Sequence, residues 1–103
     1  MEVISKIDEY LNKTLRNYLG YSETYHSELD LDSWPKGSLI LISNDENYST
    51  LSYLDNDEND EIRKEFEEEI MKILKSELVI KDDVAVDYDM GSITFRFEFV
   101  YAI

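Results

Sequence analysis

The segment that most constrains the fold is "ITFRFEFVYAI", which spans Ile93–Ile103. Large apolar side chains alternate in it with mostly smaller or polar ones, as in a strand with one buried face. One side of this strand would carry Ile93, Phe95, Phe97, Phe99, Tyr101 and Ile103. The other side would carry Thr94, Arg96, Glu98, Val100 and Ala102. Such a large aromatic face must be covered, and we expect helices to cover it.

Two segments have the helical period that this cover needs. Between Glu2 and Leu19, apolar residues recur every three or four positions, and Gly20 follows where a helix commonly ends. This first stripe consists of Ile4, Ile7, Leu11, Leu15, Tyr18 and Leu19. The second stripe consists of Ile62, Phe66, Ile70, Ile73 and Leu74. It follows a run of N-cap candidates, namely Asp55, Asn56, Asp57 and Asn59.

Other segments have the pattern of strands. Ser38–Ser43, "SLILIS", is a short apolar run typical of a buried strand. Tyr48–Leu54, "YSTLSYL", is expected to pair with it as a hairpin across the turn "NDEN". The alternating residues Val84, Val86 and Tyr88 predict a strand that reaches the last one through the turn "DMGS". Leu29 and Leu31 alternate with acidic residues, which fits a short edge strand.

The resulting order is α-β-β-α-β-β, which belongs to the α+β class. The simplest packing is a four-stranded, mainly antiparallel sheet with two helices packed on one face. At 103 residues the chain is expected to form a single domain covering 1–103. Because 43% of the residues are hydrophobic, the chain can build a core despite its high charge.

The net charge of −14 limits the partners that the chain can have. It arises from 24 acidic residues against ten Lys and Arg, and such a surface repels nucleic acid and anionic membranes. The ten cations form no basic stripe, so we expect no direct nucleic-acid binding. Solubility would be the plain explanation of this charge. At this charge density we favour a basic protein partner, toward which steering raises association rates by about 10–10³-fold.

The absence of cysteine excludes a disulfide scaffold, a cysteine zinc site and a thiol nucleophile. The first residues are charged and contain no apolar stretch of the signal-peptide type. No run approaches the roughly 18 apolar residues that a membrane span needs. We therefore expect a cytoplasmic protein that needs no cofactor and contacts no membrane.

The acidic run Tyr53–Ile70, "YLDNDENDEIRKEFEEEI", does not fit a calcium-binding loop. The EF-hand loop requires glycine at its sixth position. A loop starting at Asp55 would have Asp60 there, and one starting at Asp57 would have Ile62, which already belongs to the second helical stripe. No metal site is predicted.

The sequence contains no motif that predicts catalysis. Paired catalytic carboxylates need contrasting environments in a cleft, whereas the acids here fall on exposed helix positions and in loops. The Glu-x-Lys or Asp-x-Lys spacing of metal-dependent nucleases does not occur. His26 is the single histidine, the G-x-S-x-G motif is absent, and three separated glycines exclude a phosphate-binding loop. We predict that the protein is not an enzyme.

Aromatic residues lie among acids in the segment 20–37 and near the start of the acidic run. The residues that we expect to bind a partner are Glu23, Tyr25, Glu28, Asp30, Asp32, Trp34, Tyr53, Asp55, Asp57 and Glu58. Aromatic anchors within a ring of one charge sign are typical of protein–protein hot spots. The same rings could instead fill the edge of the core, and the sequence leaves both interpretations open.

This profile of a small, strongly acidic chain without catalytic motifs resembles the immunity proteins that neutralise bacterial toxins. Those paired with contact-dependent inhibition toxins or nuclease bacteriocins are the most similar. The resemblance implies a stoichiometric inhibitor that covers the active site of a basic nuclease, with carboxylates pairing with the toxin's phosphate-binding Lys and Arg.

Two alternatives to an immunity protein stay open. The first is a phage or mobile-element inhibitor of a host defence enzyme, such as an anti-CRISPR or anti-restriction protein. Its acids between Asp55 and Glu69 would imitate the phosphate rows of nucleic acid. The second is a structural or adaptor domain whose acidity serves solubility alone, and its affinities would barely change with salt.

Overall fold

The computed structural model describes residues 2–15, 25–43, 54, 58, 60–89 and 92–103. Its elements are helix α1 (Val3–Glu9) with a π-helical continuation (Tyr10–Leu15), strands β1 (Tyr25–Asp30) and β2 (Lys36–Ser43), helix α2 (Asp60–Lys75), and strands β3 (Leu78–Ile80), β4 (Ala85–Asp89) and β5 (Ser92–Ala102). This order confirms the predicted α-β-β-α-β-β layout, with the first strand of the last hairpin divided into two pieces.

All strand pairs of the sheet are antiparallel. β2 pairs with β1 on one side and with β5 on the other. β5 pairs along its far edge with β4 and then with β3. Because β4 and β3 share one edge of β5, the five described strands occupy four positions in the sheet, as the sequence predicted.

The first hairpin joins different segments from those predicted. Ser38–Ser43 lies in β2 as expected, but Ile40 is paired with Glu28 of β1 on one side and with Thr94 of β5 on the other. Both edges of this strand are therefore occupied, and the predicted pairing with Tyr48–Leu54 is wrong.

The segment 20–37 contains a strand where the sequence mainly suggested a loop. The edge strand expected around Leu29 is confirmed as β1, which forms one edge of the sheet. It alternates because Tyr25, Ser27 and Leu29 face the helices, while the residues between them face away. Polar residues are tolerated in this strand because the helices cover only one of its faces and the other face stays in contact with solvent.

β3 and β4 form one interrupted edge. Ile80 is opposite Phe99, and Ala85 is opposite Arg96, so the four residues 81–84 lie against only two residues of β5. This bulge contains the charged sequence "KDD". Short, bulged and charged edges resist pairing with other chains. β3 itself was not predicted, because three residues are too few to show a period.

Both helices cover the same face of the sheet. The buried core comprises Val3, Ile7 and Leu11 of the first helix, Phe66, Ile70 and Leu74 of α2, and Tyr25, Leu39, Leu41, Leu54, Leu78, Ile80, Ile93, Phe95 and Phe97. The ring of Phe66 lies 6.1 Å from that of Phe95 and 6.4 Å from that of Tyr10, measured between centroids. Phe66 thus joins the two helices to the sheet, and the second helical stripe is confirmed.

The inner face of β5 is buried over only part of its length. Ile93, Phe95 and Phe97 are buried, but Tyr101 is 57% exposed and Ile103 is 78% exposed. Both of these lie beyond Lys36–Glu98, the last pair between β2 and β5. The prediction of one continuous buried face was wrong for this end of the strand.

Several predicted features lie outside the described residues. They are the side chains of Leu15, Tyr18 and Leu19, the helix end at Gly20, the turn 44–47, the segment 48–53, the N-cap candidates Asp55, Asn56, Asp57 and Asn59, and the turn residues Met90 and Gly91.

Candidate partner-binding surface

The ten residues predicted to bind a partner fall into three groups. Exposed residues are Glu28, Asp30, Asp32, Trp34 and Glu58. Tyr25 is buried. Glu23, Tyr53, Asp55 and Asp57 lie outside the described residues. Strand β1 and the turn after it bring four of the exposed residues together, and we call Glu28, Asp30, Asp32 and Trp34 the β1–β2 surface. Glu58 lies two residues ahead of the start of α2.

Tyr25 belongs to the core, which corrects its assignment to the interface. Its side chain is only 3% exposed and lies on the face that the helices cover. The side chain of Asn12 holds its backbone, because Oδ1 accepts from the Tyr25 N–H at 3.0 Å and Nδ2 donates to the Tyr25 carbonyl at 3.1 Å. Of the two interpretations that the sequence left open, Tyr25 follows the one in which the ring fills the core.

β1 projects two carboxylates away from the helices. Glu28 and Asp30 alternate with the inward-facing residues, so both point to the open face of the sheet. Their neighbours across the strand pair are Ile40 and Ser38. The Glu28 side chain is 66% exposed, and its Oε1 lies 4.0 Å from His26 Nε2.

Asp30 also shapes the turn that follows β1. Its Oδ1 accepts a hydrogen bond from the Asp32 backbone N–H at 2.9 Å, which is the Asx arrangement that aspartate favours in turns. The Lys36 N–H closes the turn by donating to the Ser33 carbonyl at 2.9 Å. The turn therefore holds Asp32 and Trp34 in defined positions, and the Trp34–Pro35 peptide bond in it is cis.

Trp34 is exposed but anchored. Its side chain is 65% exposed, yet the indole Nε1–H donates to the Val100 carbonyl at 3.2 Å. The register between β3 and β5 shifts at Val100, which leaves this residue without a partner in β3. Trp34 thus bonds a carbonyl at an irregular point of the ladder while most of its ring stays accessible. A ring held in this way loses little conformational freedom when a partner covers it.

The acids of the β1–β2 surface are not neutralised by neighbouring cations. Arg96 pairs with Asp87, and Lys81 pairs with Glu98 at 3.0 Å. Within the described part of the chain, none of Glu28, Asp30 and Asp32 has an ion pair with Lys or Arg. Three exposed carboxylates on β1 and the turn after it, against the single exposed cation Lys36 at the start of β2, make this corner of the sheet locally negative.

α2 carries the other main group of exposed acids, on the opposite side of the sheet. Its exposed acids are Asp60, Glu61, Glu65 and Glu68, and its exposed lysines are Lys64, Lys72 and Lys75. Arg63 forms a further ion pair with Asp60. α2 has six acids and four cations in all, and because the two signs are interleaved it has the mixed face of a solvated helix, whereas no cation lies between Glu28 and Asp32 in the sequence.

A concavity of about 770 Å³ adjoins the β1–β2 surface on the open face of the sheet. Its charged lining side chains are Asp30, Lys36, Asp83, Arg96 and Glu98. Two of these, Arg96 and Glu98, are already engaged in ion pairs. Among the residues that the structure describes, no three His, Asp or Glu side chains are grouped so that they could hold a metal ion. Nor is any helix in that part of the chain long and apolar enough to cross a membrane.

Sequence reasoning missed two residues that build this surface. Asn12 fixes the start of β1, and Val100 provides the carbonyl that orients Trp34. The only local signal for Asn12 is a polar residue four positions after Asp8 beside the first stripe. Its Nδ2 does bond the Asp8 carbonyl at 2.8 Å, but its bonds to Tyr25 cross thirteen positions of sequence.

Comparisons with protein-family models, with curated proteins and with solved structures found no match to this chain.

Proposed function

We propose that this chain is an acidic inhibitor that binds and neutralises a basic bacterial toxin, a nuclease domain being the favoured target. The observation that carries this proposal is the β1–β2 surface, where three carboxylates without a Lys or Arg partner among the described residues are followed by an exposed tryptophan that a hydrogen bond fixes. A basic protein would supply the missing cations. Inhibition by covering an active site needs neither a catalytic group nor a cofactor in the inhibitor.

The proposed mechanism has an electrostatic part and an apolar part. A nuclease holds nucleic acid through Lys and Arg, and carboxylates at the β1–β2 surface would occupy those positions in place of phosphates. Close charge pairs in interfaces couple by about 1.5–7 kcal/mol. Trp34 would then be buried against the partner, and central aromatic residues commonly contribute about 2 kcal/mol or more. The proposal puts the protein in the cytoplasm, where a nuclease would meet its substrate.

Capture from extracts of the source cell, followed by an inhibition assay, tests this function. The immobilised chain should retain a basic protein whose nuclease activity is lost at an equimolar ratio with the chain. Retention should weaken as salt shortens the Debye length from about 10 Å at 0.1 M to about 3 Å at 1 M. Capture of a protein that has no toxic or nuclease activity, or capture that salt does not weaken, would count against the proposal.

A second candidate is imitation of nucleic acid by α2, as in an inhibitor of a host defence enzyme. Glu61, Glu65 and Glu68 support it, because they are exposed at intervals of about 4.5–6 Å along the helix axis. Arg63 and Lys64, which lie between Glu61 and Glu65, weaken the resemblance to a phosphate row. If this candidate is correct, duplex DNA should compete with the chain for its target, and neutralising these three glutamates should abolish binding.

A further inference from the structure

β1 lies at the edge of the sheet, and Asn12 reveals which of its backbone groups point outward. In an antiparallel strand, the N–H and C=O of one residue point to the same side, and successive residues alternate. Asn12 bonds both groups of Tyr25, and it does so from the side opposite β2. The N–H and C=O groups of Ser27 and Leu29 must therefore point to the same outer edge.

The ladder between β2 and β5 gives the same direction independently. The Phe99 N–H donates to the Pro35 carbonyl, so odd-numbered residues of β2 direct their backbone groups toward β5. The even-numbered residues of β2 then face β1, where Ile40 meets Glu28. Glu28 and its even-numbered neighbours in β1 are thus bonded inward, which leaves the odd-numbered ones on the outer edge.

The side chain of Asn12 takes the place of a neighbouring strand at Tyr25 only. Beyond it, the described residues include no strand on the outer side of β1 and no hydrogen-bond partner for the backbone of Ser27 or Leu29 on that side. The Ser27 side chain faces the first helix, where its Oγ donates to Asp8 Oδ1 at 2.7 Å. As far as the described residues go, two N–H and two C=O groups therefore remain for an incoming strand.

We propose that an extended segment of the basic partner adds to this edge as a further antiparallel or parallel strand, pairing with Ser27 and Leu29. The inference rests on the proposed function, because it takes the partner to be basic. Partner residues directly across from Glu28 and Asp30 would share the open face with those carboxylates and would be Lys or Arg. Residues between them would lie beside the half-buried Leu29 and would be small or apolar.

The negative charge of Glu28 and Asp30 favours a basic strand at this edge over a second copy of the chain. Pairing of two β1 edges would bring two sets of Glu28 and Asp30 together, and like charges facing each other across strands are destabilising. Each chain also has a net charge of −14. The carboxylates that guard this edge against self-association are the groups that would attract a basic strand.

Amide hydrogen exchange in the isolated protein tests the edge before any partner is known. The N–H groups of Ser27 and Leu29 should exchange at least about tenfold faster than that of Glu28, which is bonded to β2. The Tyr25 N–H should be protected, and Asn12→Ala should remove that protection. Equal protection of Ser27, Leu29 and Glu28 would show an edge that is already covered and would overturn the proposal.

A peptide of about eight residues that alternates Lys with Val is the probe for strand addition. At saturation it should slow exchange of the Ser27 and Leu29 amides about tenfold or more. Two control peptides should have no such effect, one with Glu in place of Lys and one with backbone N-methyl groups on every residue, which leaves no N–H on either edge of the strand. Binding of the Lys–Val peptide without protection of these amides, or equal protection by the N-methylated peptide, would overturn the inference.

The captured partner separates failure of this inference from failure of the proposed function. If a basic toxin is inhibited but Ser27 and Leu29 remain unprotected in its complex, strand addition is wrong and the proposed function stands. If the Lys–Val peptide protects both amides but no basic protein is captured, the edge inference is supported and the proposed function fails.

Discussion

Asp30 illustrates how one residue can combine a charge for a partner with a hydrogen bond for the fold. Its carboxylate points to the open face of the sheet and also accepts the Asp32 N–H in the turn. Charge reversal here would disturb both roles at once. Substitutions that keep the oxygen and remove the charge can separate binding from folding.

The first prediction uses that separation. Asp30→Asn should keep the turn and change the free energy of unfolding by less than about 0.5 kcal/mol, whereas Asp30→Ala should lose about 1 kcal/mol with the hydrogen bond. Urea unfolding measures both values. Both variants should bind the partner more weakly by a similar factor, since both lack the charge. A stable Asp30→Asn variant with unchanged affinity would remove Asp30 from the interface.

Trp34 gives the second prediction. Trp34→Ala should weaken the affinity for the partner by at least about 30-fold, because it removes the central aromatic ring that the proposal buries. Tyr101→Ala is a suitable control, since Tyr101 is also exposed but lies outside the β1–β2 surface. Titration calorimetry would compare the two variants. An equal effect of both would contradict a specific role for Trp34.

Gly37 gives a third prediction, which concerns stability alone. A Cβ atom at Gly37 would collide with the ring of Phe97, its partner in the β2–β5 pair, and that ring is buried. Gly37→Ala should therefore reduce the free energy of unfolding by about 1–3 kcal/mol. Ser38→Ala changes the neighbouring residue on the open face and should have a smaller effect in the same urea unfolding experiment.

At the scale of secondary-structure elements, hydrophobic periods in the sequence predicted the helices and strands that bury one face. The alternation in β5 and the stripe of Phe66 and Ile70 in α2 were readable because burial on one face imposes a period on the residues themselves. The pairing of strands was harder to predict from the sequence, because two segments could have been the neighbour of β2. β1 and β5 occupy its edges, and those contacts join positions far apart in the sequence.

The candidate site was predictable only in part, for the same reason. Composition correctly placed Glu28, Asp30, Asp32 and Trp34 on the surface. It could not separate exposed Trp34 from buried Tyr25, because both are aromatic residues beside acids and their exposure depends on strand direction and helix cover. Asn12 and Val100 support this surface through hydrogen bonds to Tyr25 and Trp34, which are far from them in the sequence and cannot be predicted from a local pattern.

At the scale of the whole molecule, the acids are distributed on both sides of the sheet, but the two sides differ in the cations that lie among them. Lysines accompany those on α2, while Glu28, Asp30 and Asp32 lack Lys and Arg partners among the described residues. Ion pairs do not distinguish the two sides, because Glu61, Glu65 and Glu68 have no Lys or Arg partner among the described residues either, but cations are interleaved with the acids along α2. This difference is the physical basis for assigning the interface to the β1–β2 surface.

The fourth prediction follows from the net charge of −14. Repulsion among the acids destabilises the compact chain, and salt screens it, so the free energy of unfolding should rise with sodium chloride. Urea unfolding at about 0.01 M and about 0.1 M salt, where the Debye lengths are about 30 Å and 10 Å, would measure this increase. Partner binding should change in the opposite direction. Stability that falls with salt would contradict this account of the charge.

The most direct test of the interface compares two variants of equal net charge. One carries Glu28→Gln, Asp30→Asn and Asp32→Asn, and the other carries Glu61→Gln, Glu65→Gln and Glu68→Gln on α2. Each loses three negative charges, so a general effect of charge would weaken both equally. Titration with the captured partner should show at least about a tenfold loss, or 1.4 kcal/mol, for the first variant and less than about a threefold loss for the second. Equal losses, or a larger loss for the α2 variant, would contradict the assignment of binding to the β1–β2 surface.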